Sequence, residues 1–307
     1  MYYKNRLLAF FDILGFANLL YTKDLEELHD LYKTFLQEVK SEIFMTQSTL
    51  EGSQNSEVSN FEKYIVFSDS IILVSYNIDD INNINKFILS CISLMEKSIK
   101  YKLPLRGAIG NGDIIIDEVN DIFLSKDFAK IYKFEGQQDW CGCSILDDTK
   151  KLVNNAIFGL TGETNKQSSP IIKYMVPLKS KSNCFNFLYT FLPFINKKYY
   201  KELMCLNFYY MTTNKEHKEL LHYLNGDKKK KRNTELFFSY INTLDDNSQK
   251  LDIEFLPAVR YKFFMTETMC KPYFEDKNEN NKIFPKTKFR MEFFNYTKTS
   301  KLVLIKD

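Results

Sequence analysis

The chain has 307 residues, 44% of them hydrophobic and 26% charged, and its formal net charge is +3. These values are typical of a soluble globular protein with one large domain or two small ones. The positive charge is too mild to predict nucleic-acid binding, and an anionic small substrate fits it equally well. No apolar run approaches the length of a membrane span, so we expect no membrane partner.

The cysteines and histidines exclude two further classes of site. The six cysteines are scattered and no secretory leader is evident, so we expect reduced thiols and a cytoplasmic location. Cys141 and Cys143 have no second Cys/His pair at zinc-finger spacing, which favours packing in a strand or turn. His29, His217 and His222 lie in charged helical segments without a nucleophile elbow. We therefore expect exposed helix positions and no Ser-His-Asp hydrolase.

The first third of the chain predicts a strand, a helix and a hairpin. Residues 7–11 form an apolar run that predicts a buried strand, which ends at Asp12 and Gly15 before an amphipathic helix. Residues 24–44 place apolar side chains on one helical face, and residues 46–60 are polar and predict a surface loop. Residues 64–67 and 71–74 then predict two strands joined by a tight turn at residues 68–70.

The middle third continues the alternation of helices and strands. Asp79 and Asp80 begin a second amphipathic helix that ends before Pro104. Residues 105–116 predict a glycine-containing strand that continues into another strand, and residues 122–124 a short one. Ser125 is a candidate cap for a helix over residues 126–135. The order predicts an α+β sandwich, with helices on one or both faces of a mixed or antiparallel sheet.

Patterns are weaker after residue 150. We expect a strand over residues 171–178, an apolar aromatic segment at 185–194, helices at 199–211, 216–224 and 233–241, and late strands at 259–265 and 289–294. Residues 228–232 are five consecutive basic residues. A solvated loop is the favoured interpretation, and a phosphate- or RNA-binding loop is the alternative. No repeat or linker marks a boundary. We divide the chain into residues 1–150, a core, and residues 151–307, a carboxyl-terminal α/β extension of unknown role that either continues the core or forms a covering element.

Two aspartates stand at strand ends. If the strands are neighbours, Asp12 and Asp69 converge, and carboxylates from two strand ends are the ligands that a hard divalent cation needs. Taken singly, Asp12 fits a helix cap and Asp69 fits a turn residue, and for each alone the structural role is the better interpretation. For the pair we favour metal binding.

Three motifs follow one another along the chain: Phe-Asp-Ile-Leu-Gly-Phe at residues 11–16, Phe-Ser-Asp-Ser at 67–70, and Leu-Arg-Gly-Ala-Ile-Gly-Asn-Gly at 105–112. In this order they resemble the motifs of class III nucleotidyl cyclases. The resemblance covers roughly residues 5–145, and its specificity comes from the order of the motifs. The Ser-Asp-Ser tip and the Arg-Gly-Ala-Ile sequence look most like the bacterial pyrimidine cyclases of anti-phage defence. Those enzymes make cyclic UMP or cyclic CMP to trigger a partner effector.

The resemblance implies a class III cyclase-like sandwich that converts UTP or CTP to the 3′,5′-cyclic monophosphate and pyrophosphate. It implies two Mg²⁺ or Mn²⁺ ions per site, held by Asp12, Asp69 and the carbonyl of Ile13. The backbone amides of Leu14, Gly15 and Phe16 would hold phosphate oxygens. It further implies a homodimer and a downstream effector that senses the cyclic nucleotide. Nucleic acid is not among the expected partners.

The chain departs from the family on the helix after the glycine strand. The family carries Asn-x-x-x-Arg there, and alignment on Ala129 puts Asp127 and Ile131 at those positions. Lys126, Lys130 or Lys133 would have to supply the positive charge, and Lys130 is our candidate. A charged helix face in water is the alternative for these lysines.

The base and the role of one arginine stay open. Purine-specific relatives present Lys or Glu where this chain has Ile65, and an apolar side chain cannot read a purine edge by hydrogen bonding. Contact of Tyr64 or Lys63 with a smaller base is our expectation, so a pyrimidine is favoured. The alternatives are an adenylate or guanylate cyclase and a degenerate nucleotide-binding sensor. Arg106 either pairs with a carboxylate or lies near the triphosphate. The sole tryptophan, Trp140, is interpreted as a structural corner, with the site or dimer interface as alternatives.

Overall fold

The computed structural model describes residues 1–48, 56–120, 122–161, 168–179 and 200–244. The chain divides into two compact units, and nearly all described residues belong to the unit formed by Met1–Lys179 and Lys201–Ser248. Its first elements are β1 (Tyr2–Ile13), α1 (Phe16–Thr22), α2 (Leu25–Glu38), a π-helical segment (Val39–Phe44), β2 (Met45–Ser48), β3 (Ser56–Ser59), β4 (Lys63–Phe67), β5 (Ser70–Asn77) and α3 (Ile81–Lys100).

The remaining elements continue the same unit beyond residue 150. They are β6 (Leu105–Asp117), β7 (Ile122–Leu124), α4 (Lys126–Glu135), β8 (Gly142–Ile145), α5 (Asp147–Thr161), β9 (Ile171–Pro177), β10 (Tyr200–Leu206), a 3-10 turn (Tyr209–Met211), α6 (Asn214–Tyr223), a second 3-10 turn (Leu224–Gly226) and α7 (Lys228–Ile241). None of the helices in these described ranges combines the length and apolarity needed to cross a bilayer.

The strands form one mixed sheet. Its order is β4-β5-β1-β6-β8-β10-β9, with β7 paired to β6, while β2 and β3 form a separate ribbon. β1 lies antiparallel between β5 and β6, whereas β6 and β8 run parallel. The predicted α+β architecture, a mixed sheet with flanking helices, is confirmed.

Both faces of β1 are covered, which explains its unbroken apolar run. On one face Leu8 and Phe10 join a buried cluster with Ile131 of α4, and the Phe10 ring meets that of Tyr132 edge-on at 5.1 Å between centroids. On the opposite face Phe11 is fully buried. Because side chains alternate along a strand, Asp12 shares the α4 face with Phe10.

The predicted helix starts agree with the structure. The Asp80 side chain accepts a hydrogen bond from the Asn82 amide at the start of α3 (2.9 Å). At the start of α4, the Ser125 hydroxyl accepts one from the Phe128 amide (3.0 Å). These caps satisfy amides that have no partner within the helix, so short polar residues before an apolar pattern mark a helix start.

Two predictions for the second half are wrong. A helix was predicted over residues 199–211, but residues 200–206 form β10 and residues 209–211 a 3-10 turn, and Leu203 is fully buried in the sheet. A short apolar run does not distinguish a buried strand from a buried helix, which is why the pattern misled. The basic residues 228–232 form the first turns of α7 and not a loop. The Asp227 side chain caps that helix by accepting a hydrogen bond from the Lys230 amide (3.1 Å). The side chains of Thr234 and Phe237, on the inner face of the helix, are fully buried.

Smaller differences concern a loop and a histidine. The predicted loop at residues 46–60 contains β2 and β3, and the predicted helix over 24–44 ends as an α-helix at Glu38. His217 is buried, whereas His29 and His222 are exposed as expected. The predicted segments at residues 185–194, 259–265 and 289–294 lie outside the described residues.

The residues around Trp140 form a structural corner, as expected. Its side chain is fully buried and stacks on Tyr174 at 5.4 Å between ring centroids. Cys141 and Cys143 are buried on either side of Gly142, which confirms that they pack in the core.

Candidate functional site

The structure brings Asp12 and Asp69 together. Asp12 lies at the end of β1, paired with Ser70 of β5 on one side and Arg106 of β6 on the other. The backbone amide of Ile13 donates to the carbonyl of Asp69 (3.0 Å), which ties the tip of the β4-β5 hairpin to the end of β1. The convergence expected from the sequence is therefore present.

Tyr32 of α2 fixes the tip of the β4-β5 hairpin. This residue lies outside the three sequence motifs, so they did not predict its role. Its hydroxyl donates a hydrogen bond to the carbonyl of Ser68, which has a left-handed backbone (φ 51°). Its ring packs against Phe16, with 5.6 Å between centroids. Burial and the charge of Asp69 raise the pKa of Tyr32 to about 12, so the phenol stays a neutral donor.

The electrostatics of Asp12 reflect crowding by other carboxylates. Burial and the charges of Glu135 and Asp69 together raise the pKa of Asp12 to about 6, although the charges of Arg106 and Lys179 lower it. Like charges brought close together each favour the protonated form of the other. A cation placed between Asp12 and Asp69 would relieve this repulsion.

Arg106 and Glu135 form a buried ion pair beside Asp12. Their side chains are only 8% and 4% exposed, and Arg106 Nε donates to Glu135 Oε1. Arg106 Nη2 lies 3.7 Å from Asp12 Oδ2, and Nη1 donates to the carbonyl of Gln138 (3.4 Å). Of the two roles considered for Arg106, the structure shows pairing with carboxylates. The guanidinium is thereby fixed next to Asp12.

Glu135 was not identified from the sequence, although a pattern pointed to it. Phe128, Ile131 and Glu135 are spaced so that all three lie on the inner face of α4. Ile131 and Glu135 are both buried. An acid on the apolar face of a helix needs a buried cation as its partner. Arg106 is that cation.

The turn after β1 is arranged differently from the expected phosphate loop. Gly15 has a left-handed backbone (φ 77°), which favours glycine there. The Leu14 amide donates to the carbonyl of Pro104 (2.8 Å), so it is already engaged within the fold and is not free to hold a phosphate. The Leu14 carbonyl accepts a hydrogen bond from the Tyr223 hydroxyl (3.3 Å). The roles of the Gly15 and Phe16 amides and of the Ile13 carbonyl stay predictions.

The two residues expected to contact the base do not reach the carboxylates. Tyr64 lies on the opposite face of the sheet from Asp12, where its ring packs on Phe44 with 4.5 Å between centroids. Lys63 shares the face of Asp12, but it pairs with Glu118. It also stands four residues before Phe67, roughly 13 Å along the strand from the hairpin tip.

Lys130 also stays away from the carboxylates. It is exposed on α4 and pairs with Asp127 across one helical turn (2.8 Å). Asp127 in turn packs against Gly112, where a Cβ would lie 2.3 Å from its side chain. Ile131, at the family's arginine position, is buried against Gly110. Lys130 therefore fits the alternative interpretation, in which it belongs to a charged helix face exposed to water.

Lys179 is a cation that sequence reasoning missed. Its backbone amide donates to the Gln137 carbonyl (2.7 Å), and the Asp139 amide donates to the Pro177 carbonyl (2.9 Å). These bonds bring the end of β9 to the loop after α4. The positive charge of Lys179 lowers the pKa of Asp12. The pKa of Lys179 itself is lowered by burial and by the charge of Arg106. No motif marks Lys179, because it lies some distance beyond the three motifs in sequence.

Within the described ranges, no group of three or more His, Cys, Asp or Glu side chains is arranged to hold a metal ion. Metal binding at Asp12 and Asp69 would rest on two carboxylates with backbone or ligand oxygens, as the sequence predicted. The arrangement is thus a pair of interacting carboxylates flanked by Arg106 and Lys179.

No protein-family model matches the chain, and no curated protein sequence matches it. Solved structures of cyclases do resemble it. The adenylyl cyclase CyaB from P. aeruginosa has 12% identity and a TM-score of 0.42, over 67% of this chain and 95% of that one. The guanylate cyclase domain of RhGC from Catenaria anguillulae, in complex with GTP, has 9% identity and a TM-score of 0.39, over 67% and 97%.

A third similar structure is the dimeric guanylyl cyclase domain of the RhoGC fusion protein from Blastocladiella emersonii. It has 10% identity and a TM-score of 0.37, over 50% of this chain and 86% of that one. Such low identities and TM-scores describe a distant likeness only.

Proposed function

We propose that the protein is a metal-dependent nucleotide cyclase that acts on a pyrimidine nucleoside triphosphate, UTP or CTP. The observation that carries the proposal is the convergence of Asp12 and Asp69 at the ends of neighbouring strands, beside the fixed guanidinium of Arg106. Carboxylates beside fixed cations suit a reaction in which a polyphosphate is positioned and its charge neutralised.

The proposed reaction joins two parts of one substrate molecule. The ribose 3′-oxygen forms a bond to the α-phosphorus, and the bond from that phosphorus to the oxygen bridging to the β-phosphate breaks. The 3′-hydroxyl proton passes to solvent, and pyrophosphate leaves with the electron pair of the broken bond. The products are a 3′,5′-cyclic monophosphate, pyrophosphate and a proton.

The donor set at this site fits a divalent cation. Asp12 and Asp69 offer oxygen ligands, and burial together with the charges of Glu135 and Asp69 raises the pKa of Asp12. When bound, two Mg²⁺ or Mn²⁺ ions would make the 3′-hydroxyl more acidic and neutralise the triphosphate. The chain prepares the carboxylates for this role, because Tyr32 and the Ile13 amide hold the Asp69 turn in place.

Two cations of the chain are positioned to attract the phosphates. Arg106 is fixed by Glu135 and the Gln138 carbonyl, so little side-chain entropy is lost when an anion binds. Lys179 is exposed, and its positive charge lowers the pKa of Asp12. These residues would replace part of the charge that the family's helix arginine supplies.

The choice of a pyrimidine rests on the edge of the sheet beside Asp12. By register, Ile65 lies on the same face as Asp12, two residue pairs from the pair formed by Phe67 and Ser70. An apolar side chain there offers no hydrogen bond to a purine edge. The Ser-Asp-Ser tip supports a further part of the proposal: the product is a second messenger for a cyclic-nucleotide-sensing effector in anti-phage defence.

We further propose that the enzyme works as a homodimer. Phe67 and Tyr132 lie on the face of the sheet that carries Asp12, and they are 78% and 59% exposed. Large aromatic side chains exposed on one face are typical of an interface. Light scattering of the purified protein should give a dimer mass, and Phe67→Ser with Tyr132→Ser should give a monomer. A monomeric wild type would contradict this part of the proposal.

A second candidate function is nucleotide sensing without turnover. It is favoured by Ile131, which is 1% exposed at the position of the family's arginine, and by Asp127 at that of the asparagine. A sensor would bind a nucleoside triphosphate in a metal-dependent manner and release no pyrophosphate.

The deciding experiment incubates purified protein with Mn²⁺ and each of ATP, GTP, CTP and UTP separately. Pyrophosphate is assayed and the nucleotide product is identified by mass. We expect a cyclic pyrimidine monophosphate from the wild type and from Asp30→Asn, and none from Asp69→Asn. Asp30 is a matched control because it is a surface aspartate, with 80% of its side chain exposed. Cyclic AMP or cyclic GMP would overturn the pyrimidine assignment, and binding without pyrophosphate would favour the sensor.

A further inference from the structure

The basic segment, residues 228–232, is unexplained by the reaction as proposed so far. It begins α7 in the part of the chain that lies outside the three cyclase-like motifs. Its lysines face different partners. Lys229 pairs with Asp139 (2.5 Å), Lys230 pairs with Asp227, and Lys231 donates to Asn225 Oδ1 (2.5 Å).

Buried hydrogen bonds fix α7 against the loop after α4. Asn233 Nδ2 donates to the Asp139 carbonyl (2.7 Å), and the Cys141 amide donates to Thr234 Oγ1 (2.9 Å). The same loop receives the end of β9, through the bond from the Asp139 amide to Pro177. The start of α7, the end of β9 and the loop that holds Arg106 therefore meet at one edge of the site.

Cations converge at this edge. Arg106 donates to the carbonyl of Gln138, the Lys179 amide donates to that of Gln137, and Lys229 pairs with Asp139, so three consecutive loop residues join β6, the end of β9 and α7. Burial lowers the pKa of Lys179, and the charges of Arg106 and Lys230 also lower it. With Lys229 they make four cations, and the acids facing them are Glu135, Asp139 and Asp227. Once Asp12 and Asp69 are occupied by cations of their own, the surplus positive charge favours an anionic ligand.

The geometry points to Lys230, acting beside Lys179, as a subsite for the terminal phosphates of the substrate, supplied by the carboxyl-terminal part of the unit. The inference rests on the proposed function, since it names which end of the nucleoside triphosphate this edge receives. Lys230 is 20% exposed and is held by Asp227, so its ammonium is oriented before a ligand arrives. The subsite distinguishes a triphosphate from a monophosphate, because only the triphosphate extends beyond the α-phosphorus.

The probe is inorganic tripolyphosphate, which lacks base and ribose. Calorimetry at a fixed excess of Mn²⁺, so that Asp12 and Asp69 are occupied by cations, would compare its affinity for the wild type, Lys230→Gln and Lys231→Gln. Lys231 is the matched control because it is the next residue of the same helix and loses the same charge, while its partner is Asn225. We expect Lys230→Gln to weaken binding by about fivefold or more, the loss of one charge-assisted contact, and Lys231→Gln by less than about twofold.

A second readout uses the enzyme. For Lys230→Gln the KM for the nucleoside triphosphate should rise by a similar factor with kcat little changed, and thermal unfolding should match that of Lys231→Gln. Equal losses in the two variants, or no tripolyphosphate binding by the wild type, would overturn the inference.

The two proposals fail in different ways. Normal cyclic nucleotide synthesis with an unchanged KM in Lys230→Gln would overturn this inference and leave the proposed function standing. Selective loss of tripolyphosphate binding in Lys230→Gln, with no cyclic product from the wild type and any nucleotide, would support the subsite and overturn the cyclase.

Discussion

Replacing Glu135 with Gln should strongly destabilise the protein. The substitution keeps the shape of the side chain and removes the charge that pairs with Arg106, and both side chains are almost fully buried. Breaking a buried pair leaves an uncompensated charge, which costs roughly 3–5 kcal/mol. Asp12 remains 3.7 Å from the guanidinium and offsets part of this cost. We therefore expect a loss of about 2–4 kcal/mol in the free energy of unfolding.

The assay is thermal and urea unfolding of the variant beside a matched control. Glu118→Gln removes the charge from the pair with Lys63, whose side chains are 60% and 30% exposed. Exposed pairs contribute about 0–1 kcal/mol. For a unit of this size, about 2–4 kcal/mol corresponds to a fall in Tm of roughly 5–15 °C, against less than about 3 °C for the control.

Two results would refute this reasoning. Equal destabilisation by Glu135→Gln and Glu118→Gln would show that burial does not set the strength of the pair. A double variant, Arg106→Met with Glu135→Gln, should be less destabilised than the sum of its single variants, because no unpaired charge remains. Strict additivity would mean that the two residues do not act as a pair.

Three further predictions follow from single contacts. Gly107→Ala should destabilise the sheet by about 1–3 kcal/mol, measured by urea unfolding, because a Cβ would lie 2.4 Å from the Phe11 ring. Asp69→Asn should lower the pKa of Asp12 from about 6, observed by carboxyl NMR titration, since the charge of Asp69 raises that pKa. Burial lowers the pKa of His217 to about 4, so the unfolded chain binds its proton first and stability falls as the pH drops from about 6.5 to 4. His217→Gln should flatten that part of the curve of unfolding free energy against pH.

Controls for these predictions come from the same chain. Gly226→Ala meets no atom within 4 Å, and an equal loss there would contradict the clash at Gly107. An unchanged pKa of Asp12 in Asp69→Asn would mean that the two carboxylates do not interact. The exposed His222 should leave the pH dependence unaltered when it is replaced by Gln, and a flattened curve in that variant would argue against His217 as the source.

Local patterns predicted the first half of the fold well. Asp80 and Ser125 mark helix starts because their side chains bond to amides of the next turn, a contact that short-range sequence determines. The second half depended on partners that are distant in sequence. Leu203 is buried as part of a strand because β8 lies beside it, and the basic segment is helical because Thr234 and Phe237 dock on the core. Such contacts override local propensity, which is why the helix at 199–211 and the loop at 228–232 were wrong.

The site was predictable where it follows one strand and its neighbours. Asp12 and Asp69 were found because both stand at the ends of apolar runs that pair in the sheet. Glu135 and Lys179 were missed because their effect on Asp12 depends on the tertiary packing of α4 and β9. Lys230 was missed because its effect on Lys179 depends on the packing of α7. For Glu135 alone a cue existed, since it is an acid on the apolar face of its helix.

The dependence of the Trp140 corner on α7 sets an order of events during synthesis. Trp140 packs edge-on against Phe237, with 4.7 Å between ring centroids, and the Cys141 amide bonds to Thr234. A nascent chain that has emerged only as far as β9 lacks both partners, although it already contains all three motifs. The loop that binds Arg106 therefore receives its last buried partners only after α7 has left the ribosome.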